Sequence, residues 1–305
     1  MGDYLVSAIA AVLAGGCIAA AGVLQQRSAS RRPSDERLSP TLIRRLLADR
    51  LWLLGIGLAV LSYGFQAVAL SFGPLALVQP LIVSELLFAV PVSVRLRHLR
   101  LRPRDWAAVL VVVAGLTIGI LAAAPEKGHP VQPFGTWVGA LIAVAAVTGA
   151  ALLATRALTG PTRASAFAFG GAVVMALQSA LYDATIALLP KRHWALFATW
   201  EPYALVVVSA LGFFLIQNAF QSGPLAASTP VIDATLPLVA IVLGVWLFGE
   251  HIRTAWWGLG GAALGVLLLI GGIIALDTSP VVRKEQRIEQ REQRQTARQE
   301  AGQTA

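Results

Sequence analysis

The sequence has little charge and almost no cysteine. Charged residues make up 13% of the 305 residues, about half the fraction in an ordinary soluble domain. The lone cysteine, Cys17, excludes an intrachain disulfide and a cysteine-rich metal site. There is no Gly-x-x-x-x-Gly-Lys-Ser/Thr loop, the motif with which P-loop ATPases hold phosphate. These absences argue against a soluble domain, a disulfide-stabilised secreted protein and an ATP-driven pump.

Apolar residues take the place of the missing charge and amount to 56% of the chain. About eighteen consecutive apolar residues suffice to cross a hydrocarbon core of about 30 Å. Nine runs meet that length: 4–24, 52–71, 74–95, 105–123, 136–155, 166–188, 202–220, 224–248 and 255–276. The sequence therefore predicts an all-α integral membrane protein, a helical bundle with nine spans.

The basic residues fall on alternate connections, which predicts an orientation. With the N-terminus outside, twenty Lys and Arg lie inside and four outside: Lys127, Lys191, Arg192 and Arg253. The positive-inside rule then favours an outer N-terminus and a cytoplasmic C-terminus in a plasma or bacterial inner membrane. The net charge of +8 is accordingly interpreted as a topology signal that also contacts anionic lipids. It does not indicate a nucleic-acid partner.

A faint internal repeat recurs at a spacing of 150 residues. Gly-Pro-Leu-Ala at 73–76 returns at 223–226, and matched proline, tryptophan and glycine follow without a gap. An odd number of spans inverts the second copy relative to the first, as in many secondary transporters. We therefore expect two inverted four-helix repeats joined by helix five. The expected units are a first membrane half (1–123), a linking helix (124–162), a second half (163–276) and a polar cytoplasmic tail (277–305).

Three smaller features complete the organisation. Segment 39–49 fits either a short interfacial helix or a simple loop. The tail has a composition typical of a solvated, partly disordered segment. Two small-residue pairs fit either a homodimer face or packing within the bundle: Gly115 with Gly119, and Gly261 with Gly265.

Three acidic residues lie well inside apolar runs, and no Lys, Arg or His does. They are Glu85, Asp183 and Asp233. A charged group at the centre of a span costs at least about 2.5 kcal/mol on insertion scales, so each acid needs a reason. Each can be protonated and hydrogen-bonded to a neighbouring helix, can exchange protons, or can bind a cation. Asp183 lies nearer the outer end of its helix and can also reach the interface.

Glu85 and Asp233 are expected to face one central cavity. Each follows a repeated proline, Pro80 or Pro230, that interrupts helix hydrogen bonding near the site. If the cargo is Mg²⁺, these two carboxylates are its metal ligands, together with amide oxygens and retained waters. Polar side chains at similar depth either line the cavity or hold helices together. They are Tyr63, Gln66, Gln178, Tyr182, Gln217 and Asn218.

The repeated motif resembles that of the drug/metabolite transporter superfamily. Gly73-Pro74-Leu75-Ala76 followed by Pro80, and Phe248-Gly249-Glu250 before a glycine-rich helix, are similar to EamA-type repeats. Within that superfamily, the nine spans and Ala124-Pro125-Glu126-Lys127 resemble the NIPA branch of magnesium transporters. The resemblance implies inverted repeats around a central cavity, and transport. Two departures stand out: Arg100 occupies the place of Glu250 in the first half, and Glu85 lies outside the NIPA motif.

The sequence thus predicts a secondary transporter that works by alternating access and needs no cofactor. Mg²⁺ is the first expected cargo. The alternative is a proton-coupled exporter of small organic cations or metabolites. An intramembrane enzyme is disfavoured because no histidine lies within a span, and a non-transporting scaffold would tolerate neutralisation of all three acids.

Overall fold

The computed structural model describes residues 2–30, 49–88, 103–192, 198–223, 225–253 and 255–277. Nine α-helices lie within these ranges. In chain order they are α1 (Gly2–Ser30), α2 (Arg50–Phe72), α3 (Leu75–Ile82), α4 (Pro103–Ala123), α5 (Phe134–Ala154), α6 (Gly160–Arg192), α7 (Glu201–Ser222), α8 (Leu225–Phe248) and α9 (Trp256–Asp277).

Eight of these helices are long and apolar enough to cross a membrane. The remaining one, α3, begins a shorter apolar helical stretch, Leu75–Phe88. The described residues are thus mainly helical, with eight helices of the length and composition of a multi-pass membrane protein, while residues 89–95 of the third expected span lie outside the described residues. Segment 39–48, position 100 and the tail after residue 277 also lie outside them.

Helix α3 is shorter than the sequence predicted. It ends at Ile82, two residues after Pro80, and residues 83–84 form a turn before a helical stretch at 85–88. Around the turn, backbone hydrogen bonds join residues three apart instead of four. Val83 N donates to Pro80 O at 3.2 Å, and Ser84 N donates to Leu81 O at 3.0 Å. A proline removes one helical donor and crowds the preceding turn. The helix is continuous through Pro80 itself, and the interruption lies after it, at residues 83–84.

Helix α8 is continuous, although it contains Pro230 and Pro237. The interruption expected at Pro230 is thus absent. A side chain from α6 compensates locally, since Ser165 Oγ donates to Ala227 O at 2.8 Å, one turn before Pro230. Membrane helices tolerate proline where a neighbouring helix satisfies the weakened carbonyls.

Helix α6 is the centre of the bundle. About 72% of its membrane-length window is buried, against at most 39% for the other seven long helices. It packs most extensively on α7 and α8, and also on α5 and α2. The polar groups that α6 carries are therefore surrounded by protein.

The main hydrophobic core surrounds residues 173–184 of helix α6. Trp137 of α5 is fully buried there and meets Trp200 and Phe248 edge-on, with ring centroids 5.3 Å and 5.9 Å away. Aromatic pairs in this geometry add about 0.5–1.5 kcal/mol each beyond the area they bury.

Helices α4 and α9 form a separate close pair through their glycines. A Cβ on Gly115 would lie 2.8 Å from Gly265 O, and a Cβ on Gly265 would lie 2.8 Å from Gly115 O. Neither position has room for a larger residue. These two glycine-rich motifs thus pack within the bundle, one against the other.

Candidate binding cavity

A polar cavity of about 170 Å³ lies among five helices near the middle of the bundle. Its walls come from α1, α2, α3, α6 and α8. The lining residues are Ile18, Ser62, Tyr63, Gln66, Gln79, Ile82, Val83, Glu85, Met175, Gln178, Ser179, Ile232, Asp233, Leu236 and Pro237. Both expected carboxylates, Glu85 and Asp233, lie in this wall, and none of its described residues is a Lys, Arg or His.

The turn at 83–84 positions Glu85. Helix α1 approaches this turn closely, since a Cβ on Gly15 would lie 2.9 Å from Ile82 O and 3.0 Å from Glu85 N. Glycine at position 15 therefore lets the two backbones touch. As a result Glu85 enters the wall directly after the turn, at the start of the helical stretch 85–88, while Asp233 enters from the continuous helix α8.

Amides and hydroxyls supply the remaining polar wall. Gln66 and Gln178, both expected at the site, line the cavity and are buried. The hydroxyls of two lining serines already donate elsewhere: Ser62 to Ala14 O at 2.8 Å, and Ser179 to Met175 O at 3.1 Å. These serines can still accept a hydrogen bond from a guest.

Gln79 is a wall residue that the sequence did not single out. It is 3% exposed, and its Nε2 has no hydrogen-bond partner among the described residues. A buried donor without an acceptor costs about 1–3 kcal/mol. The sequence feature that could have identified Gln79 is its position directly before Pro80 in the repeated motif.

Two expected site residues, Gln217 and Asn218, lie elsewhere. Both belong to α7, which contributes nothing to the cavity wall as described. Asn218 Nδ2 donates to Phe214 O of its own helix at 2.8 Å. The prediction used the positions of these amides along their apolar run. Such positions do not show which helices surround the cavity.

Tyr182 and Asp183 divide between two environments. Tyr182 donates to Tyr63 O at 2.8 Å and meets the Tyr63 ring edge-on, with centroids 5.8 Å apart, so it adjoins the cavity. Asp183 is 2% exposed and interacts electrostatically with Lys127 and Glu250. It therefore belongs to a second charged cluster rather than to the cavity wall.

That second cluster lies at one end of the bundle, which we call the capped face. The capped face comprises the α2–α3 turn at 73–74 and the connections 124–133 and 249–253. Lys127 Nζ donates to Leu70 O at 2.5 Å and to Ser71 O at 2.7 Å, at the end of α2. In the sequence, Lys127 stands out by its charge and as part of Ala124-Pro125-Glu126-Lys127, and neither feature indicated a contact with α2.

Glu250 holds the start of α3 on the same face. Its two carboxyl oxygens accept from Leu75 N at 2.5 Å and Ala76 N at 2.9 Å. Burial raises the pKa of Glu250 to about 7, while those two amides and Lys127 act to lower it. Each charge thus lies on the oppositely charged end of a helix dipole.

Backbone hydrogen bonds join the two connections of the capped face. Glu126 N donates to His251 O at 2.8 Å, His251 N donates to Glu126 O at 3.3 Å, and His129 N donates to Phe248 O at 2.8 Å. The connections 124–133 and 249–253 therefore form one hydrogen-bonded unit, which we call the platform, and it carries both Lys127 and Glu250.

The described residues contain no group of three or more His, Cys, Asp or Glu arranged to hold a metal ion. The cavity carries two carboxylates, so a cation there would take its other ligands from amides, hydroxyls or water. Mg²⁺ usually retains several waters and few protein carboxylates.

The chain is similar over most of its length to a bacterial protein. A protein of Corynebacterium glutamicum described as uncharacterized is 29% identical over 279 residues, which covers 90% of this chain and 96% of that protein. The two chains thus align over nearly their whole lengths. No family model matches the chain, and no solved structure matches it.

Proposed function

We propose that this protein is a secondary transporter that carries a small cation through the central cavity by alternating access. The observation that supports this most is that Glu85 and Asp233 line one cavity whose wall, as far as the structure describes it, has no basic side chain. Carboxylates within a membrane bundle are costly and commonly mark ion or proton pathways. This reading treats the chain as a transporter and not as an enzyme.

The contacts also support an inverted repeat. Gly115 and Gly265 are equivalent in the repeat and touch each other reciprocally, as residues near a two-fold axis do. The pairs α1–α2 and α6–α7, which the repeat relates, are each extensively packed. We accordingly propose the drug/metabolite transporter architecture, with the capped face outside and the C-terminus in the cytoplasm.

Hydrated Mg²⁺ is the first proposed cargo. A volume of 170 Å³ equals about six waters at about 30 Å³ each. That is room for a cation with much of its hydration shell, contacted by two carboxylates and several amides. The gradient or the membrane potential would drive its passage, worth about 2.3 kcal/mol per charge at 100 mV.

A small organic cation is the second candidate, and Gln79 favours it. Its partnerless Nε2 would gain an acceptor from a cargo that carries both a positive nitrogen and an oxygen. Coupling to protons would then be expected, with Glu85 and Asp233 exchanging a proton for cargo.

Uptake into proteoliposomes tests the proposal. Mg²⁺ entry is measured for wild type, Glu85→Gln and Asp233→Asn, with and without an imposed pH gradient. Entry that needs both carboxylates but no gradient supports the Mg²⁺ proposal. Amine flux that needs the carboxylates and a gradient supports the second candidate.

Glu126→Gln is the matched control, because Glu126 is exposed on the capped face and its described contacts are made by its backbone. Its flux should equal that of wild type. Flux of neither cargo, or flux unaffected by both cavity substitutions, would contradict the proposed function.

A further inference from the structure

The capped face closes the end of the bundle directly beyond the cavity. On α2, Leu70 lies four residues from Gln66, and on α3, Leu75 lies four residues from Gln79. At 1.5 Å per residue each separation is about 6 Å. The helix ends held by Lys127 and Glu250 are thus about one helical turn from the cavity wall.

Among the described residues, the polar attachment of the α2–α3 turn to the two connections is made by two side chains. Lys127 reaches the carboxyl end of α2 and Glu250 reaches the amino end of α3, whereas the connections that carry them bond to each other through backbone groups. When those side-chain bonds break, apolar packing is what still holds the turn, because Leu70 and Leu75 are buried in the main hydrophobic core. Backbone pairing would keep the platform itself intact.

The hydrogen bonds involved are suited to a reversible closure. Bonds made by charged groups are stronger than neutral ones, yet water can replace both partners once the face opens. Lys127 is partly exposed even when bound, so its ammonium can be hydrated with little rearrangement. Asp183 is buried and interacts electrostatically with both Lys127 and Glu250.

We propose that Lys127 and Glu250 form the outer gate of the transporter and that this structure has the gate closed. Release of the two helix ends opens a path from outside to Glu85 and Asp233. This inference rests on the proposed function, because it takes alternating access and the outer position of the capped face from it.

Thiol accessibility tests the gate. Cys17→Ser removes the native thiol, and Ser179→Cys places a reporter in the cavity wall at a residue whose hydroxyl bonds only its own helix. A membrane-impermeant cationic methanethiosulfonate is added outside intact cells. Lys127→Met and Glu250→Ala should each raise the labelling rate about tenfold, as expected for loss of a charge-assisted bond.

Two variants serve as controls. Gln132 lies in the same connection as Lys127, and its side chain donates to His129 O within that connection, so Gln132→Leu should leave the rate unchanged. Lys127→Arg keeps the charge and should keep labelling slow. Gel filtration of each purified variant checks folding, and Glu250→Ala tests the gate by itself if Lys127→Met does not fold.

An unchanged rate in the folded gate variants, or an equal rise in Gln132→Leu, would overturn the gate. Failure of the proposed function has a different signature. In that case Mg²⁺ and amine uptake would be insensitive to Glu85→Gln, whatever the labelling rates.

Discussion

Helices α3 and α8 begin with the same residues and end differently. Each starts at the leucine of Gly-Pro-Leu-Ala and carries a proline as its sixth residue. Helix α3 ends two residues after its proline, whereas α8 continues for eighteen residues beyond Pro230. The same proline position therefore occurs in a helix that ends soon afterwards and in one that continues, and the neighbouring helices differ between the two.

The neighbours of the two prolines differ in kind. At α3, Gly15 of α1 allows backbone to touch backbone at the turn. At α8, Ser165 of α6 supplies a donor to the turn before the proline. The consequence for the site is that Glu85 projects from a helix end and Asp233 from a helix interior. The predictions below alter these neighbours, one at a time.

The largest effect is expected at the contact of α1 with the turn in α3. Gly15→Ala would place a Cβ 2.9 Å from Ile82 O and should lower the free energy of unfolding by about 2–3 kcal/mol. The next residue offers the control, since a Cβ on Gly16 would have its nearest neighbour at 3.9 Å. Thermal unfolding followed by tryptophan fluorescence measures both variants, and equal losses would refute the close-contact explanation.

The start of α3 should make stability depend on pH through Glu250. Its pKa is raised from 4.5 to about 7, so the folded protein binds this proton more tightly than the unfolded chain. The stabilisation is complete below about pH 4.5 and is lost as pH rises through 7, by about 1–2 kcal/mol between pH 5 and pH 7.

Glu250→Gln isolates that contribution. Lys127 and Asp183, which interact with Glu250, remain in both proteins, so the difference between their unfolding curves reports the Glu250 proton. The free energy of unfolding of Glu250→Gln, relative to that of wild type, should increase as pH rises. A difference that is flat from pH 5 to pH 8 would show that Glu250 keeps its ordinary pKa.

Exchanging each proline for alanine tests the comparison directly. Pro80→Ala restores a donor next to the turn and should displace Glu85, which reduces uptake about fivefold, whereas Pro230→Ala should change uptake less than twofold. Proteoliposome flux measures both. Equal losses would mean that the two helices respond to proline alike.

The smallest effect is expected from the donor beside Pro230. Ser165→Ala removes the bond to Ala227 O and should cost about 1 kcal/mol. Thr162→Ala, which removes an exposed bond to Thr159 O, should cost less than about 0.5 kcal/mol. Unfolding curves of the two variants rank them, and the reverse order would show that α8 needs no support there.

Hydropathy was enough to predict the membrane helices, because each long helix requires its own apolar run. Depth along those runs also placed Glu85, Asp233, Gln66 and Gln178 at one level, and the structure brings these four into one wall. The position of a residue along its apolar run does not show which other helices lie next to its own helix. Gln217 and Asn218 lie at a similar depth on α7, away from the hollow.

The capped face could not be predicted for a different reason. Lys127 and Glu250 bind backbone groups of α2 and α3, and backbone groups have no signature in the sequence. Glu250 lies 174 and 175 residues from its two partners, so no local pattern joins them. The turn after Ile82 likewise lies against a glycine of another helix, which no local pattern indicates.

Equilibrium cation binding tests the central claim most directly. Thermal unfolding of the purified protein is measured over a series of Mg²⁺ and ethanolamine concentrations at constant ionic strength. A ligand that binds only the folded state adds about 2.7 kcal/mol at one hundred times its Kd. At least one of these cations should stabilise wild type and Glu126→Gln equally, and should lose that effect in both Glu85→Gln and Asp233→Asn. Stabilisation that survives in both cavity variants would contradict a cation site between these carboxylates.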